Sequence, residues 1–104
     1  MSHPKKNPPP CNQTKTYWCR LEEEDRKAIP ELLKWDLPEL KLIPSKNNNP
    51  ETYVEWSFQL VLAANQVQLT MYTTDKLVLQ GRASKLFYDI DDLLLSLPDI
   101  FPKT

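Results

Sequence analysis

The chain has 104 residues, 40% hydrophobic and 26% charged, which is enough for one domain with a buried core and too short for two. Its formal net charge of −1 argues against a protein that binds polyanions through bulk charge, because counterion release needs many lysines and arginines near phosphates. No apolar run approaches the roughly 20 residues of a transmembrane helix, so we expect a cytoplasmic protein without a membrane partner.

The start of the chain combines prolines and lysines with little apolar content. Four prolines fall within residues 1–13, beside Lys5 and Lys6. Such a segment cannot bury enough apolar surface to offset the entropy that it would lose on ordering. The sequence therefore predicts a disordered tail over residues 1–13 and a single α+β domain over residues 14–104.

Two cysteines, Cys11 and Cys19, lie in the first fifth of the chain. No apolar signal segment precedes them, so we expect free thiols in a reducing compartment. Structural zinc usually takes four cysteine or histidine ligands, and His3 is the only histidine. We therefore expect neither a metal nor a cofactor.

The segment after the tail is predicted to form a strand and then a helix. Residues 14–21 are rich in threonine and aromatic side chains, which indicates a short strand with Tyr17 and Trp18 on opposite faces. Residues 22–35 begin with four acidic side chains, which suit the positive end of a helix dipole, and we expect a helix that bends or breaks at Pro30. Its buried side would consist of Ile29, Leu32, Leu33 and Trp35.

Two less regular segments lead to the centre of the chain. Residues 36–44 carry alternating leucines between two prolines, which indicates a short extended segment at a sheet edge. Residues 45–50 contain three asparagines and a proline, a composition that favours a loop.

Residues 52–80 show the clearest pattern in the chain, three runs of alternating polar and apolar side chains joined by short turns. The runs cover residues 52–62, 66–72 and 77–80. Loops this short predict an antiparallel meander with one apolar face. That face would include Val54, Trp56, Phe58, Leu60, Leu62, Val67, Leu69 and Met71.

A glycine and an amphipathic segment follow the meander. Gly81, the only glycine, is predicted either to adopt a backbone angle that other residues avoid or to pack closely. Residues 83–97 carry apolar side chains at helical spacing, so we expect a helix across the apolar sheet face. The predicted fold class is therefore α+β, a curved antiparallel sheet of at least three strands packed against a C-terminal helix. We interpret Asp89, Asp91 and Asp92 as a solvated acidic surface.

The run KLVLQGRA at residues 76–83 resembles the last strand and the start of the following helix in the helix-grip fold shared by the TATA-box-binding protein and the N-terminal domain of type III bacterial ribonuclease H. The resemblance covers residues 52–97. It implies a curved sheet that grips a helix, and an exposed sheet face that binds a partner, which is nucleic acid in the two best-known cases. That face would present Tyr53, Glu55, Ser57, Gln59, Gln68, Thr70, Tyr72, Val78 and Gln80.

The sequence contains no recognisable catalytic motif. It lacks a nucleophile elbow, a Walker-type phosphate loop and a metalloprotease motif, and it offers only His3 for general-base chemistry. We therefore expect that the protein is not an enzyme.

Two binding functions remain, and the first, which we prefer, is a small regulator or adaptor that docks on a protein partner through its sheet face or a sheet edge. Aromatic side chains are enriched at the centres of such interfaces. The residues expected to contact the partner are Tyr53, Gln59, Gln68, Tyr72, Gln80 and Arg82.

The alternative is a nucleic-acid-binding domain that uses the exposed sheet face and the basic N-terminal arm. Its contacts would come from Lys5, Lys6, Lys15, Lys76, Arg82 and Lys85.

Overall fold

The computed structural model describes residues 12–45 and 53–103, which form a curved antiparallel sheet with two helices packed on one of its faces. This confirms the predicted α+β fold class. The elements in chain order are β1 (Asn12–Cys19), α1 (Glu23–Asp36), β2 (Lys41–Pro44), β3 (Val54–Leu62), β4 (Asn65–Tyr72), β5 (Lys76–Arg82), α2 (Lys85–Leu95) and β6 (Ile100–Pro102). Neither helix is long and apolar enough to cross a bilayer.

The predicted boundaries are close to those observed. The strand β1 begins at Asn12, so two residues of the predicted tail belong to the sheet. The rest of that tail, together with residues 46–50 of the predicted loop, lies outside the described residues. The turn after β3 is formed by Ala63 and Ala64, between the two predicted runs, and Ala63 has a positive φ of 55°.

The strand order across the sheet is β2-β3-β4-β5-β1-β6, with every pairing antiparallel. The predicted meander forms its centre, through β3, β4 and β5. The first strand lies beside the third strand of the meander, where Thr16 faces Val78. The last strand then pairs with the outer side of β1, where Phe101 faces Trp18. The two ends of the chain thus meet at one side of the sheet.

One continuous core fills the space between the sheet and the helices. The alternation of β3, β4 and β5 directs one set of side chains towards the helices, as predicted. The helix α2 contributes Leu86, Phe87, Ile90 and Leu94. The strands contribute Tyr17, Cys19, Leu60, Val67, Leu69, Met71, Leu77, Leu79 and Ile100.

The helix α1 runs unbroken through Pro30, so of the two predicted outcomes, a bend or a break, the break does not occur. A proline inside a helix removes one backbone hydrogen bond. Here Pro30 is buried with Ile29 and Leu33, and this packing holds the helix on the core. The prediction that Trp35 and Leu32 are buried is wrong, because they are 80% and 41% exposed. The packed side of the helix is too narrow to include them.

A bulge near the start of β3 changes the predicted faces of two residues. Val54, expected on the apolar face, instead faces Tyr72 in the ladder and does not join the core. The register between β3 and β4 shifts between Val54 and Trp56, so Glu55 has no partner in the ladder. Its carboxylate binds Arg26 of α1, at 2.7 Å and 3.0 Å from two guanidinium nitrogens. The expectation that Glu55 lies on the exposed sheet face is therefore wrong. The extra residue of the bulge directs this side chain to the helix side.

Asp91 is buried, with 9% of its side chain exposed, which corrects the expectation of a solvated acidic surface at this position. The Tyr17 hydroxyl donates to one carboxylate oxygen, and the Lys15 ammonium lies 2.9 Å from the other. Burial, followed by the hydrogen bond to Asp91, raises the pKa of Tyr17 far above its usual value. This cluster fastens α2 to β1, and it could not be foreseen because β1 had no predicted place in the sheet.

Candidate functional site

The face of the sheet opposite α1 and α2, here called the open face, carries the polar half of the strand alternation. Its most regular feature is a row of side chains across four adjacent strands. Gln59 faces Gln68, Gln68 faces Gln80, and Gln80 faces Thr14. The three glutamines lie on the adjacent strands β3, β4 and β5. Because neighbouring strands are about 4.8 Å apart, the row of glutamines spans roughly 10 Å.

A second row, made of hydroxyl groups, lies next to the glutamines. Ser57 faces Thr70 across β3 and β4, and their hydroxyl oxygens are 2.9 Å apart. The side-chain amide of Gln68 donates to the Ser57 hydroxyl at 3.1 Å. Thr70 is only 7% exposed. The two rows are therefore linked by hydrogen bonds that restrict the rotamers of Ser57 and Gln68.

One end of the open face forms a depression of about 420 Å³, here called the amide depression. Side-chain amides dominate its lining, with one arginine and the backbone of the only glycine. The lining residues are Asn12, Thr14, Gln59, Ala64, Asn65, Gln66, Val67, Gln68, Gln80, Gly81 and Arg82.

The other end of the open face forms a depression of about 560 Å³, here called the aromatic depression. It is lined by Thr14, Thr16, Tyr53, Tyr72, Thr74, Lys76, Val78 and Lys103. The Lys103 ammonium also lies 5.6 Å from the centre of the Trp18 ring, within cation–π distance. Because Thr14 lines both depressions, they are adjacent parts of one surface.

Paired acidic and basic side chains lie on the helix side of the sheet, whereas the charged side chains described at the two depressions are basic. Within the described part of the chain, the residues that line the two depressions include Lys76, Arg82 and Lys103 and no carboxylate. The carboxylate of Glu55 in β3 is paired with Arg26 on the helix side of the sheet. That pairing raises the pKa of Arg26, and the acid-rich first turn of α1 is also on the helix side. The open face is thus a polar surface with a local positive charge, although the chain as a whole is slightly acidic.

The structure groups the predicted partner-binding residues on the open face. Four of them line the amide depression, namely Gln59, Gln68, Gln80 and Arg82. The other two, Tyr53 and Tyr72, line the aromatic depression.

The predicted nucleic-acid contacts are more scattered. Lys76 and Arg82 lie on the open face. Lys15 is bound to Asp91 on the helix side, and Lys85 pairs with Asp89 on α2. Lys5 and Lys6 lie outside the described residues.

Sequence reasoning missed the contribution of both chain ends to this surface. Thr14, Thr16 and Lys103 belong to it because β1 and β6 join the sheet beside β5. Alternation in residues 12–18 marks the polar side of β1, but it does not reveal which strand β1 pairs with.

Comparisons with known proteins add one finding. A family model described as RNase LS, bacterial toxin, matches residues 12–99. This range spans nearly all of the described fold, from the first residue of β1 to the turn before β6. No curated protein and no solved structure matches the chain.

Proposed function

The chain belongs to the RNase LS bacterial toxin family, and from this membership we propose that it is a non-enzymatic module that binds single-stranded RNA on its open face. The family description names a ribonuclease, whose substrate is RNA. The protein would hold RNA without cleaving it. In a toxin of this family, residues outside this module would then form the catalytic centre.

The observation that carries this proposal is the division of charge across the sheet. The open face has three basic side chains in its depressions, while Glu55 and Asp91 are paired on the helix side. Phosphate groups are attracted by such a surface and would be repelled by carboxylates placed on it. The net charge of the chain conceals this local property.

The form of RNA follows from the other side chains of the open face. Tyr53 and Tyr72 offer aromatic rings at the aromatic depression, and unpaired bases stack on such rings. The amides and hydroxyls can bond base edges and ribose hydroxyls, which paired bases expose less fully. Single-stranded RNA therefore fits this surface better than a duplex does.

The sequence-based preference for a protein partner stays a prediction. The tyrosines of the same face, exposed Tyr53 and half-buried Tyr72, also suit a protein interface. The described lining of the two depressions has no carboxylate, and this property, together with a family named for a ribonuclease, favours RNA instead. The experiment below distinguishes the two partners.

The test is a salt-titrated binding measurement with a fluorescent single-stranded RNA and the matched duplex. If about three phosphates are contacted, the logarithm of the affinity should fall with the logarithm of salt concentration with a slope of about −2 for a single strand. The double variant Lys76→Ala/Lys103→Ala should weaken binding and flatten this slope by about 1.4. Lys34→Ala, on the exposed side of α1, is the matched control and should change neither.

Absence of RNA binding at about 50 mM salt, where phosphate contacts are strong, would overturn the proposal and leave the protein partner as the remaining hypothesis. Equal affinity for the duplex would also contradict it. A double variant that binds with the unchanged salt slope would show that the RNA lies elsewhere on the molecule.

A further inference from the structure

The amide depression differs from the rest of the open face in its chemistry. Its lining contains six side-chain amides, from Asn12, Gln59, Asn65, Gln66, Gln68 and Gln80, and the guanidinium of Arg82. A phosphate would be held better by several cations. This surface therefore suits a neutral ligand with both donors and acceptors.

We propose that the amide depression is a subsite that recognises the edge of one unpaired purine base, an inference that rests on the proposed RNA-binding function. A carboxamide presents a donor beside an acceptor, which matches the N6 and N7 atoms of adenine. Arg82 can donate two hydrogen bonds to O6 and N7 of guanine. Both matches involve N7, which pyrimidines lack.

The size of the depression agrees with this ligand. Its volume of about 420 Å³ falls in the range of about 300–1,000 Å³ that is usual for small-molecule sites. The three glutamines on β3, β4 and β5 approach the depression from neighbouring strands, so a flat base can meet more than one amide. Gly81 lines the depression with its backbone.

The orientation of one amide is already restricted. Gln68 donates from its nitrogen to Ser57 at 3.1 Å, and Ser57 lies 2.9 Å from the Thr70 hydroxyl. Among the described residues, Ser57 is the partner of the Gln68 side chain, so its carbonyl oxygen and second N–H group can contact a base. A side chain held in this way loses less entropy on binding than a free glutamine does.

Base recognition and phosphate binding are separated along the open face. The lysines Lys76 and Lys103 line the aromatic depression, and the amides line the other end. The adjacent nucleotide of a bound strand can therefore stack at Tyr72 while the purine occupies the amide depression. Because of this separation, one substitution can remove base recognition and another can remove phosphate binding.

The test compares three RNAs of equal length, an oligouridylate and the same strand with one central adenosine or one central guanosine. The wild-type protein should bind the purine-containing strands about tenfold more tightly, as expected for one good set of base-edge hydrogen bonds. Gln80→Met, at an exposed position, should remove the preference for the adenosine-containing strand, because adenine is the base whose N6 and N7 atoms match a carboxamide. The double variant Lys76→Ala/Lys103→Ala is the matched control, which should weaken all three strands by the same factor and keep the preference.

The outcomes separate this inference from the function on which it rests. Equal wild-type affinity for all three strands overturns the purine subsite and leaves RNA binding intact. A Gln80→Met protein that keeps the full preference for the adenosine-containing strand also overturns the subsite. Loss of binding to every strand by the wild type overturns the proposed function itself.

Discussion

Arg26 and Glu55 join α1 to the bulge of β3 through two hydrogen bonds of 2.7 Å and 3.0 Å. A third bond links the same guanidinium to the carbonyl oxygen of Leu21 at 2.8 Å. Both charged side chains are largely shielded, with 17% and 13% of their surfaces exposed. Bidentate pairs in such surroundings are stronger than surface ion pairs. This pair fixes where the helix crosses the sheet and keeps the carboxylate off the open face.

Replacing Glu55 by glutamine should lower the free energy of unfolding by about 1–2 kcal/mol, because Arg26 keeps its position and loses its charged partner. For a domain of this length, that loss corresponds to a fall of roughly 4–15 °C in the melting temperature. Thermal unfolding followed by circular dichroism measures it. Glu31→Gln, at an exposed position on α1, should be nearly neutral, and equal effects of the two substitutions would contradict the role of the pair.

Gly81→Val should destabilise the fold by about 1–3 kcal/mol, the range for strained backbone positions. Gly81 has a φ of +154°, and an added Cβ would lie 3.0 Å from the Val67 Cα and 3.2 Å from the Gln66 carbonyl oxygen. The close approach predicted from sequence is thus confirmed. Urea denaturation measures the loss.

The control for Gly81→Val is Thr16→Val, a nearly isosteric change at a strand position of the open face. It should be close to neutral, because β-branched residues suit strands. Ser57→Val, which the sequence alone suggests as a neutral change, is unsuitable since the Ser57 hydroxyl contacts both Thr70 and Gln68. If Thr16→Val costs as much as Gly81→Val, backbone strain is not the cause.

Asp91→Leu should destabilise the protein by about 2–4 kcal/mol, because it leaves the buried Tyr17 hydroxyl without its acceptor and Lys15 without its partner. Asp92→Asn, at the exposed neighbouring position, is the control and should change stability by less than about 0.5 kcal/mol. Denaturant unfolding compares the two. Similar curves would show that the buried carboxylate is dispensable.

Stability should decrease above about pH 10, the usual pKa of tyrosine. Burial raises the pKa of Tyr17 in the folded protein above that of the unfolded chain. The folded state then binds a proton that the unfolded state releases, so the stabilisation is complete below about pH 10 and is lost as the pH rises further. Burial also raises the pKa of the Cys19 thiol, which adds a similar loss that begins near pH 9.

Denaturant unfolding between about pH 7 and 11 measures this dependence, with Tyr17→Phe as the comparison. The variant should be less stable at neutral pH. Its stability should also decline less steeply above about pH 10, because it lacks the Tyr17 hydroxyl and keeps only the Cys19 thiol of the two groups whose pKa is raised. A decline as steep as that of the wild type would exclude Tyr17 as its source.

The sequence predicted those parts of the fold that depend on local periodicity. Alternation identified the meander, and helical spacing identified the buried side of α2, with Phe87 and Ile90 at its centre. A side chain such as Gln68 was assigned to the open face because the register of a hairpin follows from its short turn. Four of the predicted partner-binding residues consequently lie together around one depression.

The remaining features depend on contacts between distant parts of the chain. The pairing of β1 with β5 has no local signal, so the burial of Asp91 by Tyr17 was not foreseeable. The bulge at Glu55 breaks the alternation by one residue without a glycine or proline to mark it. Helical spacing alone does not show how wide the buried side of α1 is, and the packed side ends before Trp35.

The position of β1 has a consequence for the order of folding during synthesis. Within the domain this strand is synthesised before the other described strands, yet its neighbours in the sheet are β5 and β6, which follow much later in the chain. The meander can form through neighbouring hairpins, whereas the pairing of Thr16 with Val78 requires closure of the long segment between residues 16 and 78. The nascent domain must therefore carry an unpaired first strand until its C-terminal part is free. Tyr17, which anchors α2, and Thr14, which lines both depressions, take up these positions only when β1 pairs with β5.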